Sequence, residues 1–255
     1  MQKAQGALEY LMLLGGAIVI AAIVIAIILG LGSTQSSVAQ NAAYQAAVKQ
    51  LSALSGVDLA ALQAWYPFDG TYFDTSGKGN HGIPYSGATF VQGKNWQGVY
   101  DPSASAYVGV KPEAFNGLGD FTMMLWFNGT INGSPNVIRG SLVGSNKIVL
   151  IPYIGSSNIH TSLYPGPGST ELDFSTPSIS TNMWHHVAWV RSAGFQTVYY
   201  DCVPKNPVGG QTPNFSSTAP VDRAKIGQFN SGTIDDVLII GRALQEWEIK
   251  ALAKC

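Results

Sequence analysis

The alternation of apolar and polar positions divides the chain into stretches of different character. From Tyr10 to Val48 no side chain is charged, and Leu11–Leu31 is a predominantly apolar run of 21 residues, about the length of a helix that crosses a bilayer. Such a run is apolar on every face, so it needs burial in lipid or among other helices. Residues 33–64 stay compatible with a helix. They contain no proline, and Val38, Ala42, Ala46, the stem of Lys49 and Ala53 recur every three to four positions. Glycine and serine between Gly30 and Ser37 mark a weak point. A single helix over residues 5–64 would be ~90 Å long.

At Trp65 the period changes. Short β-rich segments now alternate with Gly, Pro, Asn and Ser clusters. The expected strands are Ala64–Phe68, Thr89–Val91, Gly98–Tyr100, Ala106–Val110, Phe121–Phe127, Ser141–Val143, Ile148–Tyr153, Asn158–Leu163, Trp184–Ser192, Thr197–Asp201, Ala224–Gly227 and Gly232–Ile240. Many short strands with turn signals between them predict a sandwich or barrel. Phe121–Trp126 and Trp184–Val190 carry apolar side chains toward both faces and read as central strands. Trp126, Trp184 and Trp189 offer large apolar area to a two-sheet core. Leu244, Trp247, Ile249 and Leu252 then fall at helical spacing and predict a short closing helix over Gln245–Ala253.

Charge removes one class of function. Lys+Arg 14 against Asp+Glu 15 leaves a net charge of −1, which gives no electrostatic case for nucleic acid. Only 11% of residues are charged, which suits an exported all-β domain with a polar, uncharged surface. The ~190 residues beyond the helical part suffice for one well-cored domain. Catalysis is not expected. Glycosidases on β-sandwiches need two facing carboxylates, and no closely spaced acidic trio stands on one strand. Glu171 and Asp173 alternate correctly in ELDF, but that segment reads as a Ser/Pro-rich loop. His185 and His186 point to opposite faces of their strand and read as packing or surface residues.

Two resemblances sharpen the picture. In QKAQGALEY, Lys3 precedes the small residue Ala4 and then Gln5, and Glu9 is the fifth residue counted from Gln5. With the apolar run behind it, this resembles the class III signal peptide of archaeal type IV pilins. The resemblance implies cleavage at Ala4–Gln5 by a prepilin peptidase, handling by the assembly machinery, and a role for Glu9 in registering a neighbouring subunit. A carboxylate at that depth costs at least a few kcal/mol if unpaired. Cleavage would create an α-amino group four residues away.

The second resemblance covers residues 65–252. WYPFDGTYFDTSGKGNHG, GDFTMMLWF, MWHHVAWVR, VYYDC and IGQFNSGTIDDVLIIGRALQEWEIKAL are similar in order and spacing to the laminin-G-like, or concanavalin A-like, jelly roll. Cys202 departs from it, standing where the hairpin normally has glycine. The family implies one structural Ca²⁺ at the sandwich edge, with Asp69, Asp235 and Asp236 as candidate ligands, because hard oxygen donors suit calcium. It also implies carbohydrate recognition through an exposed aromatic platform. Tyr85, Trp96, Tyr153, Tyr164, Tyr199 and Tyr200 are available, and Trp96 and the Tyr164 loop are the chosen rim residues.

Asn128, Asn132 and Asn214 each fit the N-glycosylation sequon. Cys202 and Cys255 fit an exported chain as one disulfide, an intermolecular bond or free thiols remaining open. The intrachain bond would close a ~50-residue loop for around 3–4 kcal/mol.

The expected architecture is a long N-terminal α-helix followed by an all-β jelly-roll sandwich with a short C-terminal helix. It divides into a leader 1–4, a helix and stalk 5–64 and a jelly roll 65–255. The combined resemblances imply a subunit of an extracellular pilus-like filament. It would sit in the cytoplasmic membrane as precursor, polymerise through its N-terminal helices, and present a glycan-binding head at the cell surface. The alternatives are a membrane-tethered lectin-like protein that never polymerises and a cell-surface glycan hydrolase.

Overall fold

The computed structural model describes residues 33–103, 105–115, 117–129, 138–142, 147–153, 157–163, 170–208, 221–227 and 231–255. Lys3, Ala4, Gln5, Glu9 and the apolar run lie outside them. Among the described residues no helix is long and apolar enough to cross a membrane. Two compact units separate at Lys49/Gln50.

The first described element is helix α1, Ser33–Ser55. It ends where Gly56 takes φ +72° and its N–H donates to the Ser52 carbonyl at 2.8 Å, a glycine-type helix stop. The helical reading to Ala64 therefore overshoots. Leu62–Ala64 already belong to β1 (Leu62–Tyr66), with Leu62, Ala64 and Tyr66 buried and the residues between them half-buried.

The second unit is a two-sheet sandwich. One sheet runs β13 (Val203–Lys205), β12 (Phe195–Tyr200), β11 (His185–Ser192), β6 (Phe121–Gly129), β15 (Gly232–Ile240), β4 (Gln97–Asp101) and β3 (Thr89–Gln92), with β1 also pairing β15. The other runs β10 (Thr170–Ser175), β9 (Asn158–Leu163), β8 (Lys147–Tyr153), β7 (Ile138–Leu142), β14 (Val221–Gly227), β5 (Tyr107–Val110) and β2 (Ile83–Tyr85). β6 and β11 are central, as their pattern predicts.

The core lies between the sheets. Trp189, Phe121, Leu125 and Phe127 from one side meet Val108, Leu150, Ile159, Phe174 and Ile226 from the other. Phe121 meets the Trp189 ring edge-on, centroids 4.9 Å apart. A polar crossing joins the two sheets within the core. Gln196 Oε1 accepts from Trp189 Nε1 and from Thr161 Oγ1, each at 2.9 Å, which offsets the cost of burying an amide. Trp126 and Trp184 are only half-buried. Trp126 belongs to the outward face of β6, with Lys94 Nζ over its ring at 4.1 Å.

Three strands are missing from the sequence reading. β2 contains a proline, which argues against a strand but is tolerated at a sheet edge. β13 has three residues. ELDF is not loop but strand β10, with Leu172 and Phe174 buried and Asp173 exposed.

At the C-terminus, helix α2 (Glu246–Ala253) starts with a capping box between Gln245 and Glu248. Arg242 grips the buried Glu248 carboxylate with two nitrogens, at 2.9 and 2.6 Å. That grip holds Glu248 below the ordinary carboxylate range. Cys255 then closes a disulfide with Cys202, Cα atoms 6.4 Å apart.

Candidate functional site

The opening motif DTSGKGNHG is a carboxylate-centred turn. Asp74 is fully buried. Its Oδ1 accepts from the backbone N–H of Trp65 (3.0 Å) and Ser76 (2.8 Å), and its Oδ2 from Ser76 Oγ (2.8 Å) and the Asn80 N–H (2.9 Å). Asn80 Nδ2 donates to the Gln63 carbonyl and Tyr66 Oη to the Asn80 carbonyl. The turn thereby ties β1 to the segment that leads into β2. Gly82 is required there, because a Cβ would stand 2.5 Å from Val108 Cγ1.

β2 delivers an aromatic platform. In the β2–β5 register Tyr85 opposes Tyr107 and Ile83 opposes Gly109, and across β5 Gly109 opposes Lys225 of β14. Val108, Val110, Ala224 and Ile226 face the core, so Tyr85, Tyr107, Gly109 and Lys225 share the outer face. The two tyrosine rings stack with centroids 4.8 Å apart and planes 18° from parallel. Gly109 makes room for this, since a Cβ on it would lie 2.7 Å from Tyr85 Cε2. Lys225 Nζ sits over the Tyr107 ring at 4.1 Å, a cation–π contact.

A cleft of about 320 Å³ opens here, walled by these residues together with His81 and Lys111. The His81 Nδ1 accepts from the Asp74 N–H at 3.1 Å. Burial, with help from the Lys111 charge and against Asp74, holds His81 below its ordinary range, so it is neutral at pH 7. Phe73 packs on the His81 ring at 4.9 Å. Ile83 and Tyr85, two large exposed side chains, line the opening, and the exposed Phe73 adjoins it through His81. Exposed aromatics beside a concavity are the expected form of a binding surface.

The expected calcium corner lies elsewhere. β15 pairs β4 through Ile234 and β1 from Val237 onward, and the irregular step between holds Asp235 and Asp236, the latter at φ +48°. Asp235 is fully buried. Its Oδ2 accepts from the Asn95 N–H at 2.9 Å and its Oδ1 from the Asp236 N–H at 2.8 Å. Asp236 Oδ2 accepts from Asn95 Nδ2, and Asp69 Oδ1 accepts from the Gln97 N–H at 3.3 Å. Burial pushes the Asp235 carboxyl up to about 7, with the Asp236 and Asp69 charges adding to it. Asp69 and Asp236 are also raised, burial again leading.

The donor chemistry is right for a hard cation, but the convergence is not. Among the described residues, no carboxylate trio brings one oxygen from each within 4.8 Å of the others. Backbone and amide N–H groups already point at these oxygens. As placed, Asp69, Asp235 and Asp236 cap a strand junction. The group that does converge, His186 with Cys202 and Cys255, has both sulfurs in the disulfide and no thiolate to offer.

Trp96 stands at the tip of the β3–β4 hairpin, 76% exposed and at φ +57°, beside this corner. Tyr164, Asn132 and Asn214 lie outside the described residues. Asn128 is half-buried on β6 opposite Thr233, on a paired central strand and not on a loop. Sequence reading missed a hydrogen-bonded chain. Ser180 Oγ lies 2.8 Å from His185 Nε2, and His185 Nδ1 lies 2.9 Å from Asp201 Oδ2. The order is that of a catalytic triad. Yet Tyr200 Oη also reaches Nδ1 at 2.8 Å, and Asp201 Oδ1 accepts the His186 N–H. The cluster fastens the β12–β13 turn to β11.

Residues 102–250 match the family model of the concanavalin A-like lectin/glucanases superfamily. The chain belongs to this family. Domain 4 of an extracellular arabinanase from Geobacillus stearothermophilus, solved with arabinotriose, is similar over 77% of this chain and 100% of that one, at 21% identity and TM-score 0.63. The receptor-binding domain of botulinum neurotoxin type G is similar over 75% of this chain and 50% of that one, at 15% identity and TM-score 0.57. A botulinum neurotoxin type C structure, from work on the dependence of its cell entry on two ganglioside molecules, is similar over 80% of this chain and 52% of that one, at 13% identity and TM-score 0.59. This chain thus spans about half the length of the toxin domains. No curated protein matches it.

Proposed function

We propose that this protein is a surface-displayed glycan-binding subunit whose sandwich domain holds saccharide in the Tyr85–Tyr107 cleft. The observation that carries the reading is the stacked, half-exposed tyrosine pair at the mouth of a concave site on a lectin-type fold. Sugar rings present one apolar face of C–H groups, and aromatic planes are their usual partners. The arabinotriose bound to the arabinanase domain and the gangliosides on which type C neurotoxin entry depends are consistent with it. Catalysis forms no part of the proposal.

The N-terminal pattern supports display on a filament. Lys3, Ala4, Gln5, Glu9 and the apolar run that ends at Leu31 carry the pilin resemblance. Under this reading the precursor waits in the cytoplasmic membrane and a prepilin peptidase cuts before Gln5. The mature helices then pack into a filament core and the heads coat it outside the cell. A structural Ca²⁺ at the Asp69–Asp235–Asp236 corner and glycans on Asn128, Asn132 and Asn214 remain separate proposals. The binding step does not depend on either.

The test has two readouts. Mature chains beginning at Gln5 and abundant in a sheared, pelletable surface fraction support the filament reading. Chains found only in membranes, uncut, overturn it. On glycan arrays, Tyr85→Ala removes binding under this reading while Trp96→Ala keeps it. The opposite result moves the site to the β3–β4 hairpin.

A further inference from the structure

We infer that His186, Cys202 and Cys255 form a three-donor site for Zn²⁺ once the bond between the two cysteines is reduced. One ligand atom from each of the three residues lies within 4.8 Å of the others. The His186 Nδ1 stands 3.9 Å from Cys202 Sγ. Tetrahedral zinc, at ~2.3 Å from sulfur and ~2.0–2.1 Å from nitrogen, spaces its ligand atoms ~3.5–3.8 Å apart. The imidazole thus stands within a fraction of an ångström of its working distance from sulfur. Two sulfurs no longer bonded to each other separate to van der Waals contact, which is about the same spacing.

Three elements hold the donors together. His186 is fully buried on β11, and Trp126 packs against its ring with centroids 5.2 Å apart. The turn that carries Cys202 is fastened to the His186 backbone twice. The Asp201 N–H donates to the His186 carbonyl, and Asp201 Oδ1 accepts the His186 N–H, each at 2.9 Å. Cys202 sits at φ +62°, a backbone conformation uncommon for a residue with a side chain. At the end of α2, Lys254 turns into the left-handed region and the Cys255 N–H donates to the Lys250 carbonyl at 3.3 Å, a helix stop that brings Cys255 to the other two. Cys255 is exposed and opens the group to solvent. These anchors are distinct from the S–S bond, so the donors stay neighbours after it opens.

The chemistry balances in two steps. A dithiol gives two electrons and two protons to the S–S bond and is itself oxidised to a disulfide, which leaves two thiols on the protein. Zn²⁺ then displaces both thiol protons. Thiolate and imidazole are donors that zinc favours over hard cations. The two thiolates cancel its charge, so the complex adds no net charge beside the buried ring. The fourth position is left to water on the Cys255 side.

The experiment uses the full chain without a histidine tag. It is reduced with a dithiol, freed of it by gel filtration without air, and titrated with Co²⁺ as a spectroscopic stand-in for Zn²⁺. We expect one equivalent to bind with a thiolate-to-cobalt charge-transfer band and the strong visible bands of tetrahedral cobalt. Zn²⁺ should displace it and raise the Tm of the reduced chain, while the oxidised chain shows neither effect. Cys255→Ser, at an exposed terminal position, should lower the charge-transfer intensity and weaken Zn²⁺ binding at least tenfold. His186→Gln should weaken binding as much while keeping that band. Circular dichroism checks the fold of each. A reduced chain that gives no such bands, or that unfolds and is not restored by Zn²⁺, overturns the inference. So does binding unchanged by Cys255→Ser. Binding unchanged by His186→Gln removes the third donor and leaves a plain dithiol, which also overturns it.

Discussion

Two corners of the sandwich handle charge in opposite ways. At the Tyr85–Tyr107 cleft the charged groups are lysines at a solvent-facing rim, and the aromatic rings lie open beside them. At the β15 junction the charged groups are carboxylates, of which Asp235 is wholly buried with a backbone N–H on each oxygen. The first arrangement keeps its aromatic surface at the exterior, with the Lys225 ammonium over the Tyr107 ring. The second spends its hydrogen-bonding capacity on the fold. Buried carboxylates near one another are thus no better evidence for a site than a concavity with stacked rings.

The largest expected effect tests the frame behind the cleft. Asp74→Ala removes four hydrogen bonds and strands buried backbone N–H groups. A loss of about 3–4 kcal/mol in urea unfolding is expected, and glycan binding should fall with it. Less than about 1 kcal/mol would mean that the turn re-forms around water. Reduction of the Cys202–Cys255 bond, which spans 53 residues, should cost a comparable amount, about 3–4 kcal/mol. It should leave the cleft's ligand preference intact at temperatures where the head stays folded.

A direct contest between the corners comes next. Tyr85→Ala should weaken saccharide binding at least tenfold, about 1.4 kcal/mol, in titration calorimetry, and Trp96→Ala should change it less than twofold. Gly109→Ala tests the geometry more finely, because its Cβ would press on Tyr85 Cε2. Binding should fall severalfold with little change in Tm.

The acidic corner makes a pH prediction. The Asp235 carboxyl titrates at about 7 in the folded chain, against about 3.9 unfolded. Between these values the folded state holds more protons, so stability falls as pH rises. Asp69 and Asp236 are shifted in the same direction. Tm should drop by roughly 6–12 °C from pH 4.5 to 7.5, and Asp235→Asn should flatten that slope. Excess calcium against EGTA is the smallest expected difference. A higher Tm with calcium at neutral pH would support the cation proposal, and superimposed melting curves would remove it.

Much of the fold was legible in the residues. β6 and β11 could be read as central because Phe121–Leu125 and His185–Val190 supply apolar side chains to both faces. The closing helix could be read from Leu244, Trp247, Ile249 and Leu252, of which Trp247 is exposed and the other three are buried. The Arg242–Glu248 grip accounts for the spacing of RALQEWE. β2 was not legible, since Ile-Pro-Tyr carries no alternation and a proline. Without β2, Tyr85 was one aromatic among several, and Trp96 and Tyr164 were chosen as rim instead.

What the sequence by itself determined is local: period, turn chemistry, and the pairing of residues a few positions apart. DTSGKGNHG makes its own bonds, so its role could be read directly. The cleft unites His81, Tyr85, Tyr107, Lys111 and Lys225, drawn from segments that only sheet register brings side by side. The acidic corner follows the same rule. Side-chain type identified Asp69, Asp235 and Asp236, while the junction between β4 and β1 decided that N–H groups would occupy their oxygens. Residue type is carried by the chain, but convergence is a property of packing, and a site depends on which side chains converge.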